Sequence, residues 1–350
     1  MNIIFKILII LAVIALGLGV LVFCYFFVGK AQEAENITWG VDFSQMQAQS
    51  LKLNWKNVYL AILDDLGAKN IKLHTQWDWV EGDPPSPKAS DGQEKHNYYF
   101  DDIDWQLAQA KKNGAEIIYV VGMKSGRWPE CHIPEWASNL SEQQQKDAIL
   151  SYMEEVILRY KDNEEITYWQ VENEPLFKFG ECPSWYYNNT NFLKQEVALV
   201  KSLDPSRKVI VSDSGEGSMW FDAAKIGDTV GTTMYREAWA HISDSFGFYF
   251  HYFFSPVYYS RKALIIKKLF RKDVICIEFQ AEPWASKPFY DVPLSEQYKT
   301  MDLKRFKDNI EYAKKTGFDT FYFWGVEWWY WMKTKQNQPE IWNEAKLLFQ

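Results

Sequence analysis

Hydrophobic and polar positions along the chain fall into two regimes. Between Lys6 and Lys30 lies a nearly unbroken apolar run with no charged residue. As a helix it reaches roughly 34 Å, enough to cross the hydrocarbon core of a bilayer. Beyond Ala31 the pattern changes. Short apolar or alternating runs now trade places with segments whose apolar positions recur every three or four residues.

The short runs predict strands over 38–43, 70–76, 116–122, 166–172, 208–213, 229–235, 273–279 and 319–325. The longer segments predict helices. One runs over 55–66, capped by Asn54 and stopped by Gly67, and another over 101–113, stopped by Gly114. Further helices are expected over 141–160, 187–203 (closed by Asp204-Pro205), 218–226, 256–270 (aromatic and basic on its outer face), 302–316 and 339–349. Residues 83–95, rich in Pro, Gly and charge, read as an exposed loop. Strand–helix alternation repeated eight times predicts a (β/α)8 TIM barrel. The expected organisation is a signal anchor over 1–30, a tether over 31–36 and one barrel domain over 37–350. The sequence carries no nucleotide-binding fingerprint and no internal repeat.

The apolar run is longer than the core of a cleaved signal peptide, and Ala31 and Ala34 lack the small-x-small spacing of a cleavage site. An uncleaved transmembrane signal anchor is favoured over a cleaved signal. Leu21-Val22-Phe23-Cys24 faintly suggests lipid attachment, but Phe23 is too large for the residue before the Cys. Lys6 and Lys30 flank both ends, so basic residues barely set orientation. Gln32-Glu33-Ala34-Glu35 offers little to hold the following chain in the cytoplasm, and the barrel is expected on the extracytoplasmic side, at the cell surface or in the periplasm.

Composition narrows the function. The net charge of −8 argues against nucleic acid as a partner. The 17 Trp, 20 Tyr and 23 Phe exceed what a core needs and suit a cleft in which rings stack on sugar faces. Among the 4 cysteines, Cys24 lies in the apolar run and Cys276 in an apolar strand. Cys131 and Cys182 fall in loops after strands, where they either pair in an oxidising compartment or stay free thiols.

In a barrel of this kind chemistry sits where strands end and loops begin. The fourth strand ends in Asn173-Glu174-Pro175, where Pro175 stops the ladder and pushes Glu174 out of helical geometry. The seventh strand is apolar until Glu278, where an ionisable group is costly unless used or paired. Two carboxyls across one mouth are the machinery of glycoside hydrolysis: one gives a proton to the leaving oxygen and the other attacks the anomeric carbon.

Trp169-Gln170-Val171-Glu172-Asn173-Glu174-Pro175 and Ile277-Glu278-Phe279 resemble the fourth- and seventh-strand signatures of retaining glycoside hydrolases of clan A, the cellulase, mannanase and β-xylosidase group. The likeness extends along the chain. Tyr98-Tyr99-Phe100-Asp101-Asp102-Ile103-Asp104 is similar to the start of their second helix, and Trp77 and Glu81 to their second-strand loop. Asp228-Thr229-Val230-Gly231 leading to Tyr235 is similar to their sixth strand, and Phe323-Trp324 to their eighth. The resemblance implies Glu174 as acid/base, Glu278 as nucleophile, Asn173 on the sugar 2-hydroxyl, Tyr235 on the nucleophile and Trp324 as the floor. It departs at the second strand, where Lys72 stands in place of an Arg; a Lys supplies charge without a bidentate fork. His74 points the same way and could share that role. Glu282, in Gln280-Ala281-Glu282-Pro283-Trp284, is the alternative nucleophile or a substrate contact, and Trp284 adds a ring beside it.

Other residues extend the site. The loop over 124–136 reads as a cleft wall, with Trp128, Glu130 and His132 as candidate contacts. Glu172 should face away from Asn173 and act structurally. Glu327, Trp328, Trp329 and Trp331 would extend an aromatic floor. No cofactor is expected, and no metal, since adjacent Cys131 and His132 lack the spacing that zinc wants. The partners expected are an oligosaccharide, polysaccharide or glycoside substrate and a membrane, with the protein a monomer. A non-catalytic sugar-binding barrel and a transglycosylase using the same two Glu stand as alternatives.

Overall fold

A computed structural model describes residues 3–83, 97–243 and 246–350; the loop expected over 83–95 lies, Asp83 apart, outside the described residues. Eight parallel strands close a barrel: β1 (Thr38–Phe43), β2 (Asn70–His74), β3 (Glu116–Val121), β4 (Ile166–Val171), β5 (Lys208–Asp213), β6 (Thr229–Met234), β9 (Asp273–Gln280) and β10 (Thr320–Trp324), with β10 returning to pair with β1. Between β6 and β9 stands an antiparallel hairpin, β7 (Glu237–Ser243) and β8 (Phe246–His251). Around the barrel lie α2 (Trp55–Ala61), α3 (Asp101–Asn113), α4 (Glu142–Tyr160), α5 (Thr190–Leu203), α6 (Phe221–Ile226), α7 (Pro256–Phe270), α8 (Leu303–Lys314), α9 (Val326–Lys335) and α10 (Glu340–Lys346). Ahead of them runs α1 (Ile3–Phe27), long and apolar enough to cross a membrane.

The expected barrel is present, with corrections at its margins. Several strands stop one or two residues short of the expected ends. The residues beyond them leave strand geometry, Gly122 at φ +128°, Glu172 at +60° and Gly325 at +121°. Asn54 and Gly67 bound the second helix as expected, but its last turn, Ile62–Leu66, widens to a π-helix. The hairpin and α9 carry no expectation from the sequence.

The inside of the barrel is layered. Ile118, Ile210, Ile277 and Tyr322 form a small core of their own, with Tyr168 and Ile275 packed against it. Gly40 and Gly231 make room for that layer: a Cβ on Gly40 would lie 2.6 Å from the Tyr322 ring and one on Gly231 2.9 Å from Ile210 and Ile277. A larger core fills the space between strands and helices. Strict alternation from Ile275 and Ile277 would send Glu278 outward, to the helix side. The register of β9 shifts against both neighbours, between Thr232 and Thr233 of β6 and between Phe321 and Phe323 of β10. The bulge re-aims Glu278 into the mouth.

Loops at that mouth are fixed covalently and by hydrogen bonds. Cys131 and Cys182 are joined in a disulfide, Cα–Cα 5.2 Å, tying the β3 loop to the β4 loop. Of the two states left open by the sequence, the paired one is present. Glu172 is fully buried and accepts from the Met123 amide at 2.8 Å, the Lys124 amide at 2.5 Å and the Tyr186 hydroxyl at 2.7 Å. Its structural reading fits these contacts. Gly122 passes directly over that carboxylate, so an added Cβ would collide with Oε1.

Gly122 also sits at a positive φ that L side chains avoid. Gly122→Ala should therefore cost about 2 kcal/mol or more, seen as a lower denaturant midpoint with an unchanged slope.

Candidate active site

Glu174 is delivered by the tight turn after β4. It is buried with φ +44°, in the left-handed region. Its neighbours over-determine that strained backbone. The Ser212 hydroxyl accepts from its amide at 2.8 Å, and the Lys124 ammonium and the Phe177 amide both donate to its carbonyl at 3.0 Å. The side chain has a lighter hold: Thr233 donates its hydroxyl to Oε1 at 3.1 Å. Burial, and after it the charge of Glu278, pushes the Glu174 carboxyl well above the usual range.

Glu278 has opposite surroundings. Lys72 donates to Oε1 at 3.0 Å and the Tyr235 hydroxyl to Oε2, also at 3.0 Å. Thr233, which holds Glu174, is the strand partner of Glu278 across β6 and β9. The two carboxyls thus meet around one threonine. Lys72 bridges Glu278 to Asp42, 2.8 Å away, and Asp42 in turn meets His74 Nε2 at 2.6 Å. Burial alone would pull the Lys72 ammonium down, but Asp42 and Glu278 outweigh it and hold it above its ordinary value. Burial would raise Asp42; His74 and Lys72 override it and bring the carboxyl to about 2. The Lys72 and Asp42 charges therefore persist at neutral pH.

Glu174 and Glu278 line one cavity of about 690 Å³. Asn173, Tyr235, Trp324, Trp128, Glu130, Glu282 and Trp284 line it too. Trp284 stands edge-on to Tyr235 at 5.0 Å. Arg127 covers one face of Trp324 at 3.8 Å and ion-pairs with Glu282 through both nitrogens, while also reaching Glu327 at 3.2 Å. Glu282 is thereby committed to a structural cation, whereas Glu278 keeps a hydroxyl partner at the cavity.

Other expected contacts lie elsewhere. Trp77 is fully buried, stacks on Tyr152 at 6.0 Å and donates to Glu81 at 2.9 Å; it is core beneath the β2 loop. His132 is buried under its own loop, 3.8 Å from the Asp78 carboxylate, and does not reach the cavity. His74 touches Asp42 and Ser125, so it supports Lys72 from behind. Trp328 and Trp329 point into the core, donating to Gln297 and to the Ala281 carbonyl, both at 2.8 Å. They correct the expected aromatic floor, because both lie on the buried side of α9 and neither lines the cavity.

Sequence reasoning missed Asp42, Glu216 and Arg127. Asp42 carries the same signal that found Glu278, a carboxylate where an apolar strand gives out, whereas Glu216 lies in the loop past Asp213, the carboxylate that ends β5. Glu216 accepts from the Tyr235 amide at 2.8 Å and the Tyr259 hydroxyl at 2.6 Å, which sets the tyrosine facing Glu278. The hairpin residues Trp239 and His241 were also missed; both line the cavity.

No protein-family model and no curated protein matches the sequence. Solved structures do match. Xylanase 10B from Thermotoga petrophila RKU-1, solved with xylobiose, is 13% identical at a TM-score of 0.54, over 92% of this chain and 98% of that one. A glycosylated endo-β-1,4-xylanase of glycoside hydrolase family 10 from Gloeophyllum trabeum is 12% identical at 0.55, over 90% and 97%. The cold-adapted β-galactosidase from Rahnella sp. R3 is 11% identical at 0.53, over 92% of this chain and 57% of its own. What is shared at such identities is the architecture: an eight-stranded parallel barrel, of the kind on which these glycoside hydrolases are built.

Replacing Lys72 with Met would strand Asp42 and Glu278 as two buried carboxylates. Lys72→Met should cost about 3–5 kcal/mol, measured by chemical denaturation at neutral pH. The loss should shrink as pH falls and one carboxyl takes up a proton.

Proposed function

We propose that the chain is a membrane-tethered retaining β-glycoside hydrolase, with residues 1–30 as anchor, 31–36 as tether and 37–350 as the catalytic barrel. What carries the reading is the pair of unlike carboxyls on one cavity. Glu278 is held by a cation and a phenol, while Glu174 is held by a hydroxyl and its carboxyl is pushed up by burial. The division is the one that double displacement needs.

Glu174 gives its proton to the leaving oxygen as Glu278 attacks the anomeric carbon. That carbon–oxygen bond breaks as the glycosyl–Glu278 ester forms. Glu174, now ionised, takes a proton from water, which attacks the ester and frees Glu278. Lys72 and Tyr235 stabilise the Glu278 carboxylate as leaving group in the second step. Asn173 is assigned the 2-hydroxyl, and Trp324 and Trp284 the sugar faces. Lys72 supplies the positive charge that an Arg fork supplies in the resembling enzymes. Trp128, Phe177 and Phe179 gather beside Trp284 along the cavity. That apolar rim suits an acceptor other than water, and a transglycosylase is the second reading; product analysis with and without added acceptor sugar separates the two.

Glu174→Gln and Glu278→Gln should each remain folded and lose roughly a thousandfold in kcat on activated aryl β-glycosides. Proton NMR of the first-formed product should show retained anomeric configuration. Full activity in both variants would end the proposal. Glu130 and Glu278 both raise the proton affinity of Glu174. Glu130→Gln removes one like charge, so the proton leaves Glu174 at lower pH. The basic limb of kcat/KM against pH should move down.

A further inference from the structure

The β7–β8 hairpin has two unlike faces. Cross-strand partners put Trp239 opposite Tyr249 and His241 opposite Gly247 on one face. Trp239 and His241 line the catalytic cavity. The other face pairs Ala238 with Phe250 and Ala240 with Phe248, continuing to Ile242 and Phe246. The alanines are too small to cover the rings. Ile242 is 62% exposed, Phe246 61% and Phe253, just past the strand, 74%. A two-stranded hairpin with an uncovered apolar face is marginal in water, and exposed apolar patches mark contact surfaces.

These rings form one train. Phe246 packs on Phe248 at 6.4 Å, Phe248 on Phe250 at 6.2 Å, Phe250 on Tyr252 at 4.8 Å and Tyr252 on Phe254 at 6.1 Å. Phe254 and Phe253 meet Phe27, the last residue of α1, at 6.3 and 6.0 Å. The train therefore begins where the apolar helix ends. Beside it, α7 carries Arg261, Lys262, Lys267 and Lys268 and no acidic residue, in a chain of net charge −8. Lys262 is buried and Lys267 pairs with Asp273, but Lys268 is exposed, and the Arg261 guanidinium stands 5.0 Å from the Tyr25 ring of α1. Exposed aromatics beside a basic, acid-free helix suit the interface of a bilayer bearing anionic lipid.

We propose that the aromatic face of the β7–β8 hairpin lies in the interface of the bilayer that receives α1. One wall of the catalytic cavity is then seated on lipid, and the barrel is docked rather than swinging on its tether. The inference rests on the anchoring part of the proposed function, and not on the chemistry.

The test uses the full chain in vesicles of phosphatidylcholine and phosphatidylglycerol containing a phosphatidylcholine with a diazirine in its acyl chain. After irradiation, adducts are mapped by mass spectrometry. The docked arrangement predicts adducts on residues 246–254 as well as on α1, and background at Leu347, which is exposed but belongs neither to the aromatic train nor to the cavity. The double variant Phe246→Ser/Phe248→Ser, at exposed positions outside the catalytic groups, should drop hairpin labelling to that background while α1 stays labelled. Adducts on α1 with none above background on the hairpin would overturn the inference and leave anchoring intact. Adducts on the hairpin alone would support lipid contact and end the anchoring reading. A dimer that the double variant dissolves, with no hairpin adducts, would assign the face to a second copy and overturn the inference.

Discussion

Lys72 carries its ammonium into the barrel mouth out of reach of water, 2.8 Å from Asp42 and 3.0 Å from Glu278. A charge so placed is tolerated only when its partners neutralise it and satisfy its protons. Asp42 and Glu278 do so from β1 and β9, strands that flank β10 on either side. The cation thus joins strands from the two ends of the chain at the height where the apolar layer of the barrel gives way to polar side chains. Removing it would unpair two acids at once. With it present, Glu278 has a cation and a phenol as partners, while burial, and after it the charge of Glu278, raises the proton affinity of Glu174. The asymmetry of the two carboxyls lies in their partners, an ammonium and a phenol on Glu278 and a single hydroxyl on Glu174.

Much of the barrel was readable from alternating patterns, because a parallel strand covered on both faces must be apolar and its helices must be amphipathic. The two strand-end carboxyls, Glu174 and Glu278, were readable because an ionisable group after such a run demands an explanation. What stayed hidden was hidden for physical reasons. The inward aim of Glu278 depends on a β-bulge, which is a relation between strands and leaves no mark on one of them. Trp77, Trp328 and Trp329 look like cleft residues by composition, yet whether a Trp packs inward or faces a cleft is decided by loop and helix orientation. Arg127 was passed over because its partners, Glu282 and Glu327, are 155 and 200 residues away. Asp42 was within reach of the strand-end argument, whereas Glu216 sits three residues past the end of β5 and carries no such mark. The alternation of Phe246, Phe248 and Phe250 likewise spells out a strand.

The loops around the mouth are held by different means on different sides. The β3 and β4 loops are joined by the Cys131–Cys182 bond, over which Glu172 gathers amides from one loop and a tyrosine from the other. The β6 side is built by the hairpin, whose cavity-facing residues are polar or amphipathic and whose outer face is not. A disulfide-tied wall and a hairpin wall thus meet at one cavity, and the disulfide suits an oxidising compartment.

The most direct measurement of the central claim is the mass of the full chain after incubation with a 2-deoxy-2-fluoro β-glycoside bearing an activated leaving group. The account predicts one glycosyl adduct per chain, mapped by peptide sequencing to Glu278, forming more slowly when Lys72 is replaced. An adduct on Glu282, or on Glu174, or turnover with no adduct and inverted product, would contradict it.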